Sequence, residues 1–284
     1  MSETSIKKPS GKINYLFLIS LFVGIIIYGY YNSIEPDIDA EIDLFEWLLL
    51  AVHVVATTMA FIIAKQFWHT GQKVLQNAYL ALAIGMLGNL LGWAGWFSLE
   101  TMGVENPYPA PNDLGFLVWH AGALIHLRLT THRFQPKLTI KQLFVLFVIP
   151  TFFLVFYIMS YSGEAIFVDE EHGFQFKPDK IYIEFYDECN ELCFYTSITF
   201  VFLNPLMLSY ALVGFSVFRK GILGPAWMLL IIGIGLTIFA DIPYYFMELY
   251  GGFDRTHWYT MFYFVSPLII TYALYKHRDL IHSE

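Results

Sequence analysis

Apolar and polar positions fall in long blocks along this chain. Runs of about 17–25 mostly apolar residues are what a helix needs to cross a bilayer. Such runs are legible at about 13–31, 43–66, 76–98, 114–131, 141–161, 190–218, 224–248 and 257–275. The first follows a polar stretch holding Lys7, Lys8 and Lys12, as a signal peptide would begin. It is long, lacks a small-residue cleavage site and ends in Tyr28, Tyr30 and Tyr31, so it reads as a retained helix. Between the fifth and sixth runs, at about 162–189, the pattern changes. There 165–168, 173–176 and 181–185 alternate like strands, with Glu171-His172-Gly173 as a turn. This predicts a small extracytoplasmic β-hairpin lid. The expected fold class is all-α, a polytopic transmembrane bundle of about eight helices.

Composition agrees with that pattern. The chain is 57% hydrophobic and 14% charged, with a mean hydropathy of +0.54, far from the balance of a soluble domain. Aromatics reach 19%, which suits lipid-facing surfaces and interfacial belts. The net charge of −8 looks at first like a cation-binding or acidic soluble protein. Its distribution says otherwise. With the amino terminus cytoplasmic, only Lys177, Lys180 and Arg255 of the 16 Lys and Arg fall outside, and only Glu3, Asp279 and Glu284 of the acids fall inside. Basic loops face the cytoplasm, so both termini are expected there, in a multi-pass protein of the cell membrane. No basic block is wide enough for nucleic acid. The expected partners are the lipid bilayer, a small-molecule or lipid-like ligand, and a membrane or cytoplasmic signalling protein.

The third and seventh runs resemble each other. Ile84-Gly85, Trp96-Phe97, Glu100 and Gly103 align at one offset with Ile232-Gly233, Tyr244-Tyr245, Glu248 and Gly251. The helices that follow end alike, in His132-Arg133 and His277-Arg278. Trp68 and Gly71 match Phe218 and Gly221 at a slightly different offset. Two four-helix halves follow, 13–133 and 140–278, the second containing the 162–189 loop. Halves of four helices share one orientation, so their pseudo-twofold axis runs along the membrane normal, as in parallel-repeat transporters.

Ionisable residues inside spans are costly and usually face the bundle interior. Asp241 is the clearest, with Glu248 seven residues on and so on the same helix face. Its alternative role is a structural hydrogen bond to a neighbouring helix. Glu100 and Asp113 complete an acidic group near the outer mouth, and Trp93, Trp96 and Tyr244 are the expected pocket walls. His53 and His126 lie at one depth and could ligate haem axially, yet interhelical hydrogen bonding is the commoner role for such residues. Cys189 and Cys193 stand one turn apart among acids and, with His257, could hold a cation; the spacing lacks the second pair that zinc motifs carry. The cofactor therefore stays unassigned, with haem and metal disfavoured. Gly85, Gly88, Gly92 and Gly95 form a small-residue stripe whose default meaning is close helix packing, with dimerisation as the alternative.

The stretch 106–120, with Pro109, Pro111 and Asp113 ahead of an apolar helix, resembles a segment of the multi-helix membrane sensory modules often fused to prokaryotic diguanylate cyclases or histidine kinases. Asp241, Tyr244 and Gly251-Gly252 resemble their later half. The chain departs from that pattern in carrying no output domain. The resemblance implies a non-enzymatic sensory or ligand-binding module acting from the outer face or outer leaflet. The alternatives are a proton- or cation-coupled small-solute transporter and a haem- or metal-dependent membrane enzyme. A retinal protein is excluded, because the last span holds no Lys for a Schiff base.

Overall fold

A computed structural model describes residues 15–33, 44–69, 71–104, 109–161, 166–169, 173–176, 191–219, 224–250 and 258–281. The described helices are α1 (Tyr15–Ser33), α2 (Leu44–His69), α3 (Lys73–Thr101), α4 (Asp113–Phe134), α5 (Ile140–Tyr161), α6 (Glu191–Phe218), α7 (Gly224–Tyr250) and α8 (Met261–Ile281), the last preceded by a single 3-10 turn at Trp258–Thr260. Within α2, α3, α5, α6 and α7 the segments Glu46–Trp68, Lys73–Thr101, Ile140–Met159, Tyr195–Phe218 and Gly224–Tyr244 are long and apolar enough to cross a membrane, as a multi-pass membrane protein requires. Two short strands, Ile166–Asp169 and Gly173–Phe176, pair antiparallel with Ile166 opposite Phe176 and Asp169 opposite Gly173. The third alternating run, 181–185, lies outside the described residues.

The helix ends follow from local chemistry. Past the end of α3 the chain turns at Gly103, whose φ of +69° suits a residue without Cβ. There the Val104 N–H donates to the Leu99 carbonyl and the Gly103 N–H to Glu100, a Schellman closure that satisfies the last carbonyls. At the start of α4 the Asp113 carboxylate accepts the Ala110 N–H at 2.7 Å, tying the Pro-rich approach to the first turn. Pro150, Pro205, Pro243 and Pro267 lie inside helices that continue past them, which neighbouring helices and Ser or Thr side chains make tolerable at membrane depth. Near two of them, Ser209 returns a hydrogen bond to the Pro205 carbonyl and Thr271 to that of Pro267.

Helix neighbours form a circuit: α2 packs on α3, α3 on α4, α4 on α6, α6 on α7, α7 on α8, and α8 back on α2. Helix α1 lies against α8, with Phe17 stacked on Tyr272 at 4.1 Å between ring centroids. Helix α5 lies against α6 and turns most of its surface outward, exposing Phe144, Phe147, Phe152 and Phe156. An apolar face of that size is stable in lipid and not in water. Inside the circuit the largest buried cluster runs from Ala60 and Ile63 through Tyr79, Met86 and Trp119 to Trp227 and Leu230.

The closest pair, α3 with α4, meets through the glycine stripe. A Cβ on Gly88 would come within 2.7 Å of the Gly115 carbonyl, and one on Gly115 within 2.6 Å of the Gly88 carbonyl. A Cβ on Gly85 would lie 3.2 Å from the Gly122 Cα, and one on Gly92 within 2.8 Å of the Phe116 ring. The stripe is thus engaged within the chain. The pair α7 and α8 meets similarly, a Cβ on Gly233 falling 2.6 Å from Ile270.

Candidate ligand-binding site

Five helices of the circuit surround a pocket at the end of the bundle where α4, α6 and α8 begin. It is lined by Asn89, Trp93 and Trp96 of α3, Asp113, Phe116, Trp119 and His120 of α4, Phe200 of α6, Thr237, Asp241 and Tyr244 of α7, and Tyr263 of α8. Counted out to its mouth, and so including space open to solvent, it holds about 570 Å³ not filled by protein atoms. Residues four and three apart on a helix share a face. That is why α3 presents Asn89, Trp93 and Trp96 together, and α7 presents Thr237, Asp241 and Tyr244.

The aromatic walls are assembled around Trp93. Its ring lies 5.0 Å from Tyr263 and 5.4 Å from Phe116, both edge-on, and 5.8 Å from Phe97 in a stacked pose. These separations are those of favourable aromatic pairs. His120 meets Phe200 edge-on at 5.3 Å.

The polar centre is Asp241, which is buried on α7. Its Oδ1 accepts the Tyr263 hydroxyl at 2.8 Å. Its Oδ2 lies 3.4 Å from His120 Nε2, close enough for charge attraction, yet it receives no hydrogen bond. His120 is directed elsewhere: Nδ1 lies 2.7 Å from the Phe116 carbonyl and Nε2 2.9 Å from Asn204 Oδ1. With the Asn204 amide so placed, a doubly protonated ring satisfies both acceptors. Trp119 Nε1, on the same helix as His120, is also buried without a partner. Ahead of the apolar run of α4, burial pushes the Asp113 carboxyl up to about 6 against the opposing pull of the Ala110 N–H.

Of the residues singled out in the sequence, Asp241, Asp113, Trp93, Trp96 and Tyr244 come together here. Glu100 stands exposed near the end of α3 and is not among the lining residues. The side chains of Glu248 and Cys193, and the whole of Cys189 and His257, lie outside the described residues. His53 and His126 are not brought to one centre as haem ligands would be. His53 Nδ1 bonds the Leu49 carbonyl of its own helix at 2.7 Å. His126 Nδ1 reaches the Ala78 carbonyl of α3 at 3.0 Å, and its ring stacks on Trp227 at 5.3 Å beside His277, which bonds Tyr79 at 3.1 Å. Among the described residues no group of three or more His, Cys, Asp or Glu could hold a metal ion.

Asn89, Phe116, Trp119, Phe200, Thr237 and Tyr263 are lining residues that sequence reasoning passed over, and His120 was read only as an intramembrane histidine, not as a site residue. A signal for His120 was present. At 1.5 Å per residue it lies about 10 Å from the start of α4, and Asp241 lies about 14 Å from the end of α7, so the two share a depth. Comparison of the chain with protein families, with curated proteins and with solved structures finds no match.

Proposed function

We propose that this chain is an integral membrane ligand-binding module of the sensory kind, which takes a small or lipid-like molecule into the α3–α4–α7–α8 pocket and passes its state to a partner protein. One observation carries the reading: a buried carboxylate oxygen, Asp241 Oδ2, has no hydrogen bond although the pocket it belongs to is walled by aromatics. A buried polar atom left unmet costs roughly 1–3 kcal/mol, and a bound donor would remove that penalty. The 106–120 segment, with its resemblance to sensory modules, supports the same reading, as does the distribution of Lys and Arg for cytoplasmic termini and a pocket reached from outside.

The internal duplication belongs to this proposal. Asn89 and Thr237, Trp93 and Asp241, and Trp96 and Tyr244 are each 148 positions apart, so α3 and α7 line the pocket with equivalent positions. Gly85 and Gly233, at the same offset, each seat the next helix. Exchanging α2 with α6, α3 with α7 and α4 with α8 carries the circuit of neighbours onto itself. A pocket between two such halves favours the transporter as the second reading, since parallel repeats place their substrate there.

The test is native mass spectrometry of protein extracted in its own lipid. Wild type should retain a molecule that Asp241→Asn, folded and membrane-inserted, does not. Equal retention by both would remove Asp241 from the site. Counterflow of that molecule in sealed vesicles would replace the sensor by the transporter.

A further inference from the structure

The pocket combines features that select its occupant by charge. Two carboxylates, Asp113 and Asp241, face it with a single imidazole and with no Lys or Arg among the lining residues. Even with His120 carrying a proton, ionised carboxylates leave the walls with an excess of negative charge. The Asp241 oxygen nearest His120 lies 3.4 Å from its Nε2, within reach of charge attraction, but receives no hydrogen bond from it, because the ring nitrogens are directed to Phe116 and Asn204. The remaining surface is aromatic, and the faces of Trp and Tyr rings attract cations. Among the described lining residues an anion would meet two acids and no Lys or Arg. A neutral apolar molecule would fill the walls and leave Asp241 Oδ2 unmet.

We infer that the pocket binds a small organic ammonium ion, its N–H donated to the Asp241 carboxylate and its carbon frame packed against the aromatic walls that Trp93 and Tyr263 form together. This rests on the reading of the pocket as a ligand site. A charge-assisted hydrogen bond at a buried carboxylate, with ring faces beside it, favours a cation over a neutral isostere by roughly tenfold or more. The amine could belong to a free molecule or to a lipid headgroup; the chemistry at Asp241 is the same.

The experiment is calorimetric titration of the full chain in phosphatidylglycerol nanodiscs with 2-phenylethylammonium, its neutral isostere 2-phenylethanol, and 3-phenylpropionate. The ammonium ion should bind at least tenfold more tightly than the alcohol, and the carboxylate should not bind. Asp241→Asn should erase the preference; where that variant does not fold, the wild-type series alone decides. Nanodiscs containing phosphatidylethanolamine distinguish the source: weaker ammonium binding there assigns the amine to a lipid headgroup, and unchanged binding assigns it to a free molecule. Alcohol binding equal to that of the ammonium ion would overturn the cation while leaving the pocket as a ligand site. Absence of binding by all three probes, with another molecule retained in native lipid, would do the same. Absence of both would overturn site and cation together.

Discussion

The Tyr263 hydroxyl reaches across from α8 to Asp241 on α7 and satisfies one carboxylate oxygen inside the pocket. Replacing it in Tyr263→Phe keeps the ring that packs edge-on against Trp93 and deletes the donor alone. Losing one partner of a buried charged acceptor should destabilise by about 1–3 kcal/mol. The expected outcome is a lower midpoint in thermal unfolding of the detergent-solubilised protein. An unchanged midpoint would mean that the carboxylate finds another donor once the hydroxyl is gone. At this scale the sequence was informative about Asp241 and silent about its company. A charge within an apolar run announces that it needs a partner. Which partner depends on how α4, α6 and α8 are rotated about their axes, and that is decided by packing that no single run records. His120 was visible as an intramembrane histidine. Its approach to Asp241 required α6 to pack against both α4 and α7.

At the scale of the element, the α3–α4 seam and the interior of α7 respond oppositely to one methyl group. A Cβ on Gly115 would sit 2.6 Å from both the Gly88 carbonyl oxygen and the Gly92 amide nitrogen, which are backbone atoms and cannot rotate away. Gly115→Ala must therefore push the two helices apart, and overpacking of that kind typically costs about 1–3 kcal/mol. Gly235, in the middle of α7, has nothing within 4 Å of its would-be Cβ. Gly235→Ala should leave stability unchanged or raise it by about 0.5–1 kcal/mol, through the reduced entropy of the unfolded chain and better helix propensity. Thermal unfolding of both variants in one detergent checks the contrast, and equal effects would contradict the seam. Element boundaries were well legible because bilayer thickness dictates them: the run at 76–98 became Lys73–Thr101 and that at 224–248 became Gly224–Tyr250. The added residues, such as Lys73, Glu100, Thr101 and Tyr250, include the polar and interfacial ones at which an apolar run is cut short. The glycine spacing was legible too, but whether it faced another helix of this chain or a second copy was not, since both need the same stripe.

For the whole molecule, the pocket lies where the two proposed halves meet, and that explains an asymmetry that neither half contains alone. At equivalent positions one half offers Trp93 and the other Asp241, an aromatic face opposite an acid. A duplicated frame with diverged lining residues gives a site with a wall and an anchor, and the constant 148-residue offset was readable before any coordinates. The direction proposed for that pocket relative to the cell rests on charge alone. Arg133 stands in the last turn of α4 and Lys137 after it, and Met102 stands after α3 on the opposite side of the same hairpin of helices. Translocating basic residues is disfavoured, and basic loops set orientation. Lys137 and Met102 are both exposed, so a cysteine at either would be open to a reagent on its own side. In a background with Cys189 and Cys193 replaced by serine, Met102→Cys should react with an impermeant thiol reagent applied to intact cells, and Lys137→Cys should react only after the membrane is permeabilised. The reverse pattern would turn the molecule over, make the aromatic pocket open to the cytoplasm, and require its ammonium ligand to be drawn from inside the cell.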